Sequence, residues 1–242
     1  DQRRIHLFPL FRIAVHQRGI TQQVDQAGYT AGKVVHLLAG LVGLAAGTPH
    51  EPESKPQPTD NLQPATGRFL VASRSLSDPH FARTVVYLLQ HDEQGSVGLV
   101  INRVLGVTLG EALPGTRLKH LAGNRLSYGG PVSARHIIML LRDASAAWQA
   151  TPILDDIYAS NNMGLLQKLD AANTPPEALR LFIGHAGWGA GQLEREMQDN
   201  AWLSGPVEQS ILFDLPAEDR WEAAARVLGV DVNLLSSEAG HA

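Results

Sequence analysis

The sequence predicts an α+β domain that follows a leader of about 60 residues. Short apolar runs, rich in β-branched or aromatic residues, come first after the leader and are typical of buried strands. Amphipathic runs with helical spacing cluster towards the other end of the chain. Strands that come early and helices that come late favour an α+β fold over a regular alternation of strands and helices.

Five apolar runs predict the strands of the sheet. They cover residues 68–73, 84–90, 97–102, 136–141 and 179–184. The segment DEQGS at 92–96 contains a glycine and has the length of a hairpin connection, so it predicts that the second and third strands pair.

Three runs predict helices, at 161–171, 192–203 and 216–229. In the second run, Leu193, Met197 and Ala201 recur at the spacing of one helix face. In the third, Pro216 suits the first turn of a helix and Gly229 suits the position just after its end.

A proline-rich stretch separates the leader from the domain. Residues 49–61 hold four prolines in thirteen positions, which is typical of an extended linker. The apolar run at 34–47 is shorter than the ~20 residues of a membrane span. The leader 1–60 is expected to lie outside the folded core, as a targeting segment, a membrane-associating helix or an upstream extension that does not fold with the domain. We expect one domain at 61–242.

Composition narrows the function classes. The 242 residues are 44% hydrophobic and include no cysteine, which excludes disulfides, thiolate nucleophiles and cysteine-ligated zinc, and fits a cytoplasmic protein. From residue 61 onward, 14 Lys and Arg stand against 19 Asp and Glu, a net charge of −5. This charge opposes contact with a phosphate backbone, so direct DNA binding is not expected, although a local basic patch is compatible with it.

Four glycines, Gly184, Gly187, Gly189 and Gly191, lie between a predicted strand and a predicted helix. That arrangement can bind an anion through backbone N–H groups. However, the spacing matches neither a P-loop nor a dinucleotide fingerprint. We therefore expect Gly187 and Gly189 to turn the chain with positive φ and to pack around Trp188, with a ligand site as the alternative.

Three other loops carry polar groups that could line a pocket. Asp78-Pro79 predicts a turn, on which Asp78, His80 and Arg83 could form an ionic cluster. Asn102 and Arg103 end a predicted strand, where capping of backbone is favoured over ligand binding. Tyr128 precedes a Gly-Gly-Pro loop. The candidate ligand-binding residues are Asn102, Arg103, Gly129, Gly130, His185, Gly187, Trp188, Gly189 and Gln192.

Signatures of metal and hydrolase sites are missing from the sequence. The histidines of the domain do not show H-x-H, H-E-x-x-H or H-x-x-x-H spacing. The sequence also has no G-x-S-x-G elbow for a serine nucleophile. We expect no metal and no cofactor.

Several long motifs resemble the bacterial YqgE/AlgH family in the same order along the chain. They are GRFLVASRSLSDPHFARTVVYLLQHDEQGSVGLVINR at 67–103, YGGPVS at 128–133, GHAGWGAGQLEREMQDNAWL at 184–203 and LFDLPAEDRWEAAARVLGVDVNLLSSEAGHA at 212–242. The resemblance covers about 61–242 and implies a mixed sheet, partly curled into a small barrel and flanked by helices. The family more often has Tyr where this chain has His185.

The resemblance implies a general role but assigns no catalytic residues to this chain. One branch of the family is named as a regulator of exopolysaccharide (alginate) gene expression. We expect a non-enzymatic, soluble and cytoplasmic regulatory or interaction module that acts through a protein partner or a small ligand. The alternative is a small-molecule or nucleotide-binding protein or enzyme that uses the loop 184–192. The sequence does not predict an oligomeric state.

Overall fold

The computed structural model describes residues 64–142 and 149–230. The expectations for the leader 1–60 therefore lie outside the described residues. Ten strands run through the described part: β1 Phe69–Ala72, β2 Val85–Asp92, β3 Gly95–Val100, β4 Val104–Thr108, β5 Arg125–Tyr128, β6 Val132–Arg142, β7 Thr151–Leu154, β8 Ile157–Ser160, β9 Leu179–Gly189 and β10 Trp202–Gly205.

The strands form one sheet in the order β10-β1-β2-β3-β9-β6-β8-β7, with β5 pairing β9 and β4 pairing β5. All of the pairs are antiparallel except β5 with β9, which is parallel. Strand β9 is the centre of the sheet, since its first half pairs with β5 and β6 and its last four residues pair with β3. The predicted hairpin is confirmed: Asp92 of β2 opposes Gly95 of β3.

The sheet curls strongly into a half-barrel, which brings the chain just before β1 against β7. Gly67, just before β1, lies against Leu154 of β7, close enough that a Cβ at position 67 would be 2.9 Å from the Leu154 Cβ. One buried cluster combines side chains of β1, β2, β3, β6, β8 and β9, which places it on the concave face. A second cluster, with Leu70 and Trp188, lies on the opposite face. The fold is α+β with a partly curled sheet, as predicted.

Five α-helices accompany the sheet in the described residues. They are α1 Leu109–Ala112, α2 Met163–Ala171, α3 Gln192–Gln198, α4 Gln209–Phe213 and α5 Arg220–Val227. Helix α2 and helix α5 confirm two of the predicted helices, and Gly229 has the left-handed φ of +69° expected after a helix end. Helices α4 and α5 cover the concave core with Phe213 and Trp221.

The helix predicted at 192–203 is wrong in its second half. Helix α3 ends at Gln198, and Asn200 takes a left-handed φ of +57° that reverses the chain. The next residues form β10, in which Trp202 opposes Ala72 of β1. Because Trp202 gains a strand partner and a buried position there, tertiary pairing outweighs the helical spacing.

A carboxylate holds the long connection that leads into β5. Asp170 of α2 is buried, and its oxygens accept hydrogen bonds from the backbone N–H groups of Lys119, His120 and Leu121 at 2.8–3.1 Å. Burial raises the pKa of Asp170, but these backbone donors outweigh it and the net shift is downwards. In the part of the chain that the structure describes, no helix is long and apolar enough to cross a membrane.

Candidate functional site

A tight turn between β1 and β2 lies at the centre of the candidate site. Asp78 begins it: one side-chain oxygen accepts the backbone N–H of His80 at 2.7 Å. Its carbonyl accepts the N–H groups of Phe81 and Ala82 at 2.9 and 2.7 Å. The Asp-Pro sequence therefore forms the predicted turn, which presents His80 and Phe81 to the neighbouring strands.

Asn102 and Arg103 fasten this turn to the end of β3. The Asn102 side chain accepts the N–H of Val85 and donates to the carbonyl of Arg83, both at 2.9 Å. The Arg103 guanidinium donates to the carbonyls of Pro79 and Ala82 at 2.9 and 3.1 Å. Both side chains thus bond to backbone, which is the capping role that the sequence favoured over ligand binding.

His80 and Tyr128 form the closest side-chain pair of the site. The His80 Nδ1 lies 2.6 Å from the Tyr128 hydroxyl, and the two rings are stacked with centroids 6.0 Å apart. Burial raises the pKa of Tyr128; the charge of Arg103 lowers it in part, and the charge of Asp78 raises it further. The phenol therefore stays protonated at neutral pH. Burial also lowers the pKa of Arg103, although Tyr128 and Asp78 act against that decrease.

Arg83 does not join the alternative ionic cluster with Asp78 and His80. The Arg83 guanidinium lies 4.7 Å from the centroid of the Trp221 ring, which is a cation–π contact. Arg83 itself has a left-handed φ of +55°. The arginine that holds Asp78 and His80 in place is Arg103, twenty residues further along the chain.

Gly129 and Gly130 are required by a close approach of two backbones. A Cβ on Gly129 would lie 2.2 Å from the Gly184 carbonyl oxygen, and one on Gly130 would lie 2.2 Å from the His185 carbonyl carbon. Gly184 faces them in turn, with a φ of +71°. The loop after β5 and the middle of β9 therefore pack main chain against main chain, which only glycine permits.

The expected turn at Gly187 and Gly189 is wrong. Both residues continue β9 in the sheet, where Gly187 opposes Val97 and Gly189 opposes Gly95 of β3. The glycines with left-handed φ are instead Gly184 and Gly191. The ladder with β3 keeps the chain extended through residue 189, so the glycine-rich segment is mostly strand.

His185 is buried without a partner for one ring nitrogen. Its side chain is 1% exposed, and Nε2 has no hydrogen-bond partner among the described residues. Burial lowers its pKa to about 4, and the nearby His136 contributes in the same direction. The imidazole is therefore neutral at pH 7.

Trp188 and Gln192 join a network around one carboxylate. Glu196 Oε2 accepts the indole N–H groups of Trp188 and Trp202, both at 2.9 Å, and Oε1 accepts the Gln192 amide at 2.8 Å. The Gln192 carbonyl oxygen accepts the backbone N–H of Gly189 at 3.0 Å. Helix α3 is thus attached to the end of β9 by its own first-turn side chains.

Two of the loops predicted to line a pocket meet the third, which is the turn at 78–83. Arg103 bonds to this turn, Tyr128 stacks on His80, and Phe81 contacts Trp188 and Trp202 with ring centroids 6.2 and 5.6 Å away. The aromatic side chains of the turn fill the space between the loops. The sequence analysis missed Glu196, although its spacing of four from Gln192 is a signal for contact on a helix.

The arrangement is unfavourable for an anion at the glycine segment. The N–H of Gly189, a donor that such a site would use, already bonds to Gln192. Glu194 places a negative charge in the first turn of α3. Residues 64–142 and 149–230 contain no group of three or more His, Cys, Asp or Glu side chains that could hold a metal ion.

Comparison with known proteins assigns the fold and motifs to one family. A family model described as AlgH-like matches residues 69–233, which include every element described above. The chain belongs to the AlgH-like family. Over 182 residues it is 44% identical to the UPF0301 protein AlgH of Pseudomonas aeruginosa, covering 72% of this chain and 94% of that protein. It is 42% identical over 178 residues to a UPF0301 protein of Saccharophagus degradans, covering 72% and 87%.

Two solved structures share the AlgH-like fold. The solution structure of AlgH from Pseudomonas aeruginosa matches with a TM-score of 0.62 at 39% identity, covering 78% of this chain and all of that one. The crystal structure of protein DIP2367 from Corynebacterium diphtheriae matches with a TM-score of 0.56 at 25% identity, covering 68% and 87%.

Proposed function

We propose that this AlgH-like protein is a non-enzymatic regulatory module that acts by binding another protein in the bacterial cytoplasm. By its resemblance to the AlgH branch, the process it regulates is exopolysaccharide gene expression. Regulation passes through the partner and not through direct contact with DNA, because the domain from residue 61 has a net charge of −5.

One observation carries this proposal: the polar groups of the candidate site are occupied within the protein. Asn102 and Arg103 bond to backbone, and Trp188 and Gln192 bond to Glu196. The space beside the glycines at 129 and 130 is occupied by the backbone of β9. A small-molecule site needs a few free, convergent polar groups. Occupied groups at a packed junction support a scaffold that presents its outer surface to a partner.

Ligand binding at the loop 184–192 is the second candidate function, and His185 favours it. Its Nε2 has no hydrogen-bond partner among the described residues, and a Cβ added at Gly187 would meet the His185 ring at an ordinary contact distance of 4.0 Å. A neutral imidazole could bond to a small polar ligand there. A single free nitrogen gives little affinity, so we rank this function below partner binding.

Site-specific photo-crosslinking in the cells from which the chain comes tests the first function. A photoreactive residue is placed at Val104, Leu154 or Met163, the exposed large apolar side chains of the described residues. We expect at least one position to give an adduct with a single protein, identified by mass spectrometry and reproduced when the probe is placed on that partner. If none of the three positions gives an adduct, the proposal is contradicted.

Thermal melts with millimolar phosphate, ATP or GTP test the second function. We expect no rise in the melting temperature of the parent protein. A rise of several degrees would follow from a ligand that binds only the folded state. If such a rise occurs and is lost in Gln192→Ala, while crosslinking gives no adduct, the ligand-binding function replaces the interaction function.

A further inference from the structure

Charge is distributed very unevenly along this acidic domain. Residues 103–142 contain six Lys or Arg and one acidic residue, Glu111, a net charge of +5. Residues 192–222 contain eight acidic and two basic residues, a net charge of −6. The span from β4 to β6 is therefore basic, while the span from α3 to α5 is acidic. The Arg142 side chain of the basic span pairs with Asp214 of the acidic span at 2.8 Å, whereas Arg117, Lys119 and Arg125 are exposed and can attract a partner of opposite charge.

Strand β4 is an unprotected edge of the sheet within this basic span. Among the described strands it pairs with β5 alone. Its residues, Val104 to Thr108, include no charge and no proline, which are the usual means of protecting an edge. Val104 is 46% exposed, and a Cβ on Gly106 would meet nothing within 4 Å. The edge is thus open to an extended chain.

The ladder between β4 and β5 leaves part of the β4 backbone outside it. Val104 opposes Ser127 and Thr108 opposes Arg125, with a bulge between them. The three residues 105–107 therefore face a single residue of β5. Because β4 pairs, among the described strands, with β5 on one side only, its other side is an edge at which a further strand could add.

Exposed cations flank this edge. Arg125 sits directly across the ladder from Thr108, and Arg117 and Lys119 lie in the connection between α1 and β5. Backbone bonds from Gly110 to Ala122 and from Leu109 to Asn124, at 2.9 and 2.8 Å, tie that connection to the end of β4. The edge and the cations thus belong to one lobe.

The two carboxylates that contact this lobe are already engaged. Glu111 accepts the N–H and hydroxyl of Thr108 at 2.8 and 2.9 Å, and these hydrogen bonds lower its pKa. Asp170 accepts the three N–H groups of residues 119–121. Neither carboxylate is directed at the guanidinium or ammonium groups of Arg117, Lys119 or Arg125.

We propose that the outer edge of β4, with Arg117, Lys119 and Arg125, binds an acidic, extended segment of the partner protein. This rests on the proposed interaction function and names its surface and the chemistry of its partner. The segment adds a strand beside β4 through backbone hydrogen bonds, and its carboxylates pair with the three cations. A protein segment is favoured over nucleic acid because residues 104–125 contain no Phe, Tyr or Trp on which bases could stack.

Fluorescence anisotropy with the full chain tests this assignment. The probe is a fluorescein-labelled heptapeptide of alternating valine and glutamate. The matched peptides have lysine for glutamate, or carry N-methyl groups on alternate amides so that they cannot join a ladder. We expect the acidic peptide to bind, and to bind more weakly at high salt. The lysine and N-methylated peptides should bind about tenfold more weakly or worse.

Variants of the protein locate the site. Arg117→Glu with Lys119→Glu should weaken binding of the acidic peptide about tenfold. Arg226→Glu, which reverses an exposed charge on α5 instead, should leave it unchanged. Circular dichroism melts confirm that each variant is folded. Equal loss in both variants, or undiminished binding of the N-methylated peptide, overturns strand addition at β4.

Three further outcomes bear on this proposal and on the function on which it rests. A single-stranded oligonucleotide of equal charge that binds more tightly than the peptide, and loses binding in Arg117→Glu with Lys119→Glu, replaces the protein partner by nucleic acid. If the acidic peptide fails to bind while photo-crosslinks form at Leu154 or Met163, the β4 site is wrong and the interaction function stands. If crosslinks also fail at every position, both are wrong.

Discussion

The glycines differ sharply in whether their surroundings could accommodate a side chain. Gly130 has a φ of +148° and would place a Cβ 2.2 Å from the backbone of His185, whereas a Cβ on Gly187 would meet ordinary contacts. We predict that Gly130→Ala lowers the free energy of unfolding by about 2–4 kcal/mol, because strain and overlap add. Gly187→Ala should stay within about 1 kcal/mol. Urea denaturation of both variants measures the difference.

Equal destabilisation by the two substitutions would contradict this prediction. It would mean that the backbone conformation of Gly187, or the atoms around it, cannot accommodate a Cβ. The expected contrast instead places the structural need for glycine at the crossing of the two backbones, where Gly129 and Gly130 meet Gly184.

His185 makes stability depend on pH. Burial, with a contribution from His136, lowers its pKa from 6.5 to about 4 in the folded protein. The unfolded chain therefore binds the proton more readily, so stability is full above pH 6.5, falls as the pH decreases and levels off below about 4. We predict that this group contributes a loss on the order of 3 kcal/mol across that window. Urea denaturation at a series of pH values measures it.

Matched variants separate His185 from the other titrating groups. His185→Tyr removes the imidazole and should flatten the decrease between pH 6.5 and 4. His120→Gln removes an exposed histidine and should leave the decrease intact. If His185→Tyr and the parent lose stability in parallel, the buried imidazole is not its source.

At the level of elements, helix α3 depends on one carboxylate for its position. Glu196 accepts two buried indole N–H groups and the Gln192 amide. We predict that Glu196→Ala lowers the free energy of unfolding by about 2–3 kcal/mol, since it leaves two buried donors unpaired. Gln198→Ala, on the exposed side of α3, should change it by less than about 0.5 kcal/mol. Tryptophan fluorescence during urea denaturation reports on both; similar midpoints would count against the network.

The elements also show which signals the sequence carries. All five apolar runs predicted as strands are strands, because burial on a sheet requires that composition. Strands such as β5 and β10, with the sequences RLSY and WLSG, were missed, since four mixed residues have no clear period. Their stability comes from partners such as β9 and β1. Pairing over such distances in the chain leaves no local signal.

The candidate site was predictable only in part, for the same reason. The sequence favoured backbone capping over ligand binding for Asn102 and Arg103, and both side chains bond to backbone. It also predicted that the turn at Asp78-Pro79 and the loops at 102–103 and 128–131 could line a pocket, and Arg103 and Tyr128 do contact this turn. It did not indicate that Phe81 and His80 fill the space between them. It also placed turns at Gly187 and Gly189, because glycines suggest turns when the pairing strand β3 is unknown.

For the molecule as a whole, the buried clusters of the described residues extend from β1 to α5. The buried clusters on the two faces of the sheet and around α2 draw their residues from Phe69 to Ala225. The family match also starts at residue 69. Since burial of apolar surface is the main source of stability, we predict that the chain starting at residue 61 melts within a few degrees of the full chain. Scanning calorimetry of both proteins measures this, with a chain starting at residue 73 as the control that removes β1 and must fail to fold. A markedly lower melting temperature for the chain starting at residue 61 would make the leader part of the folded domain.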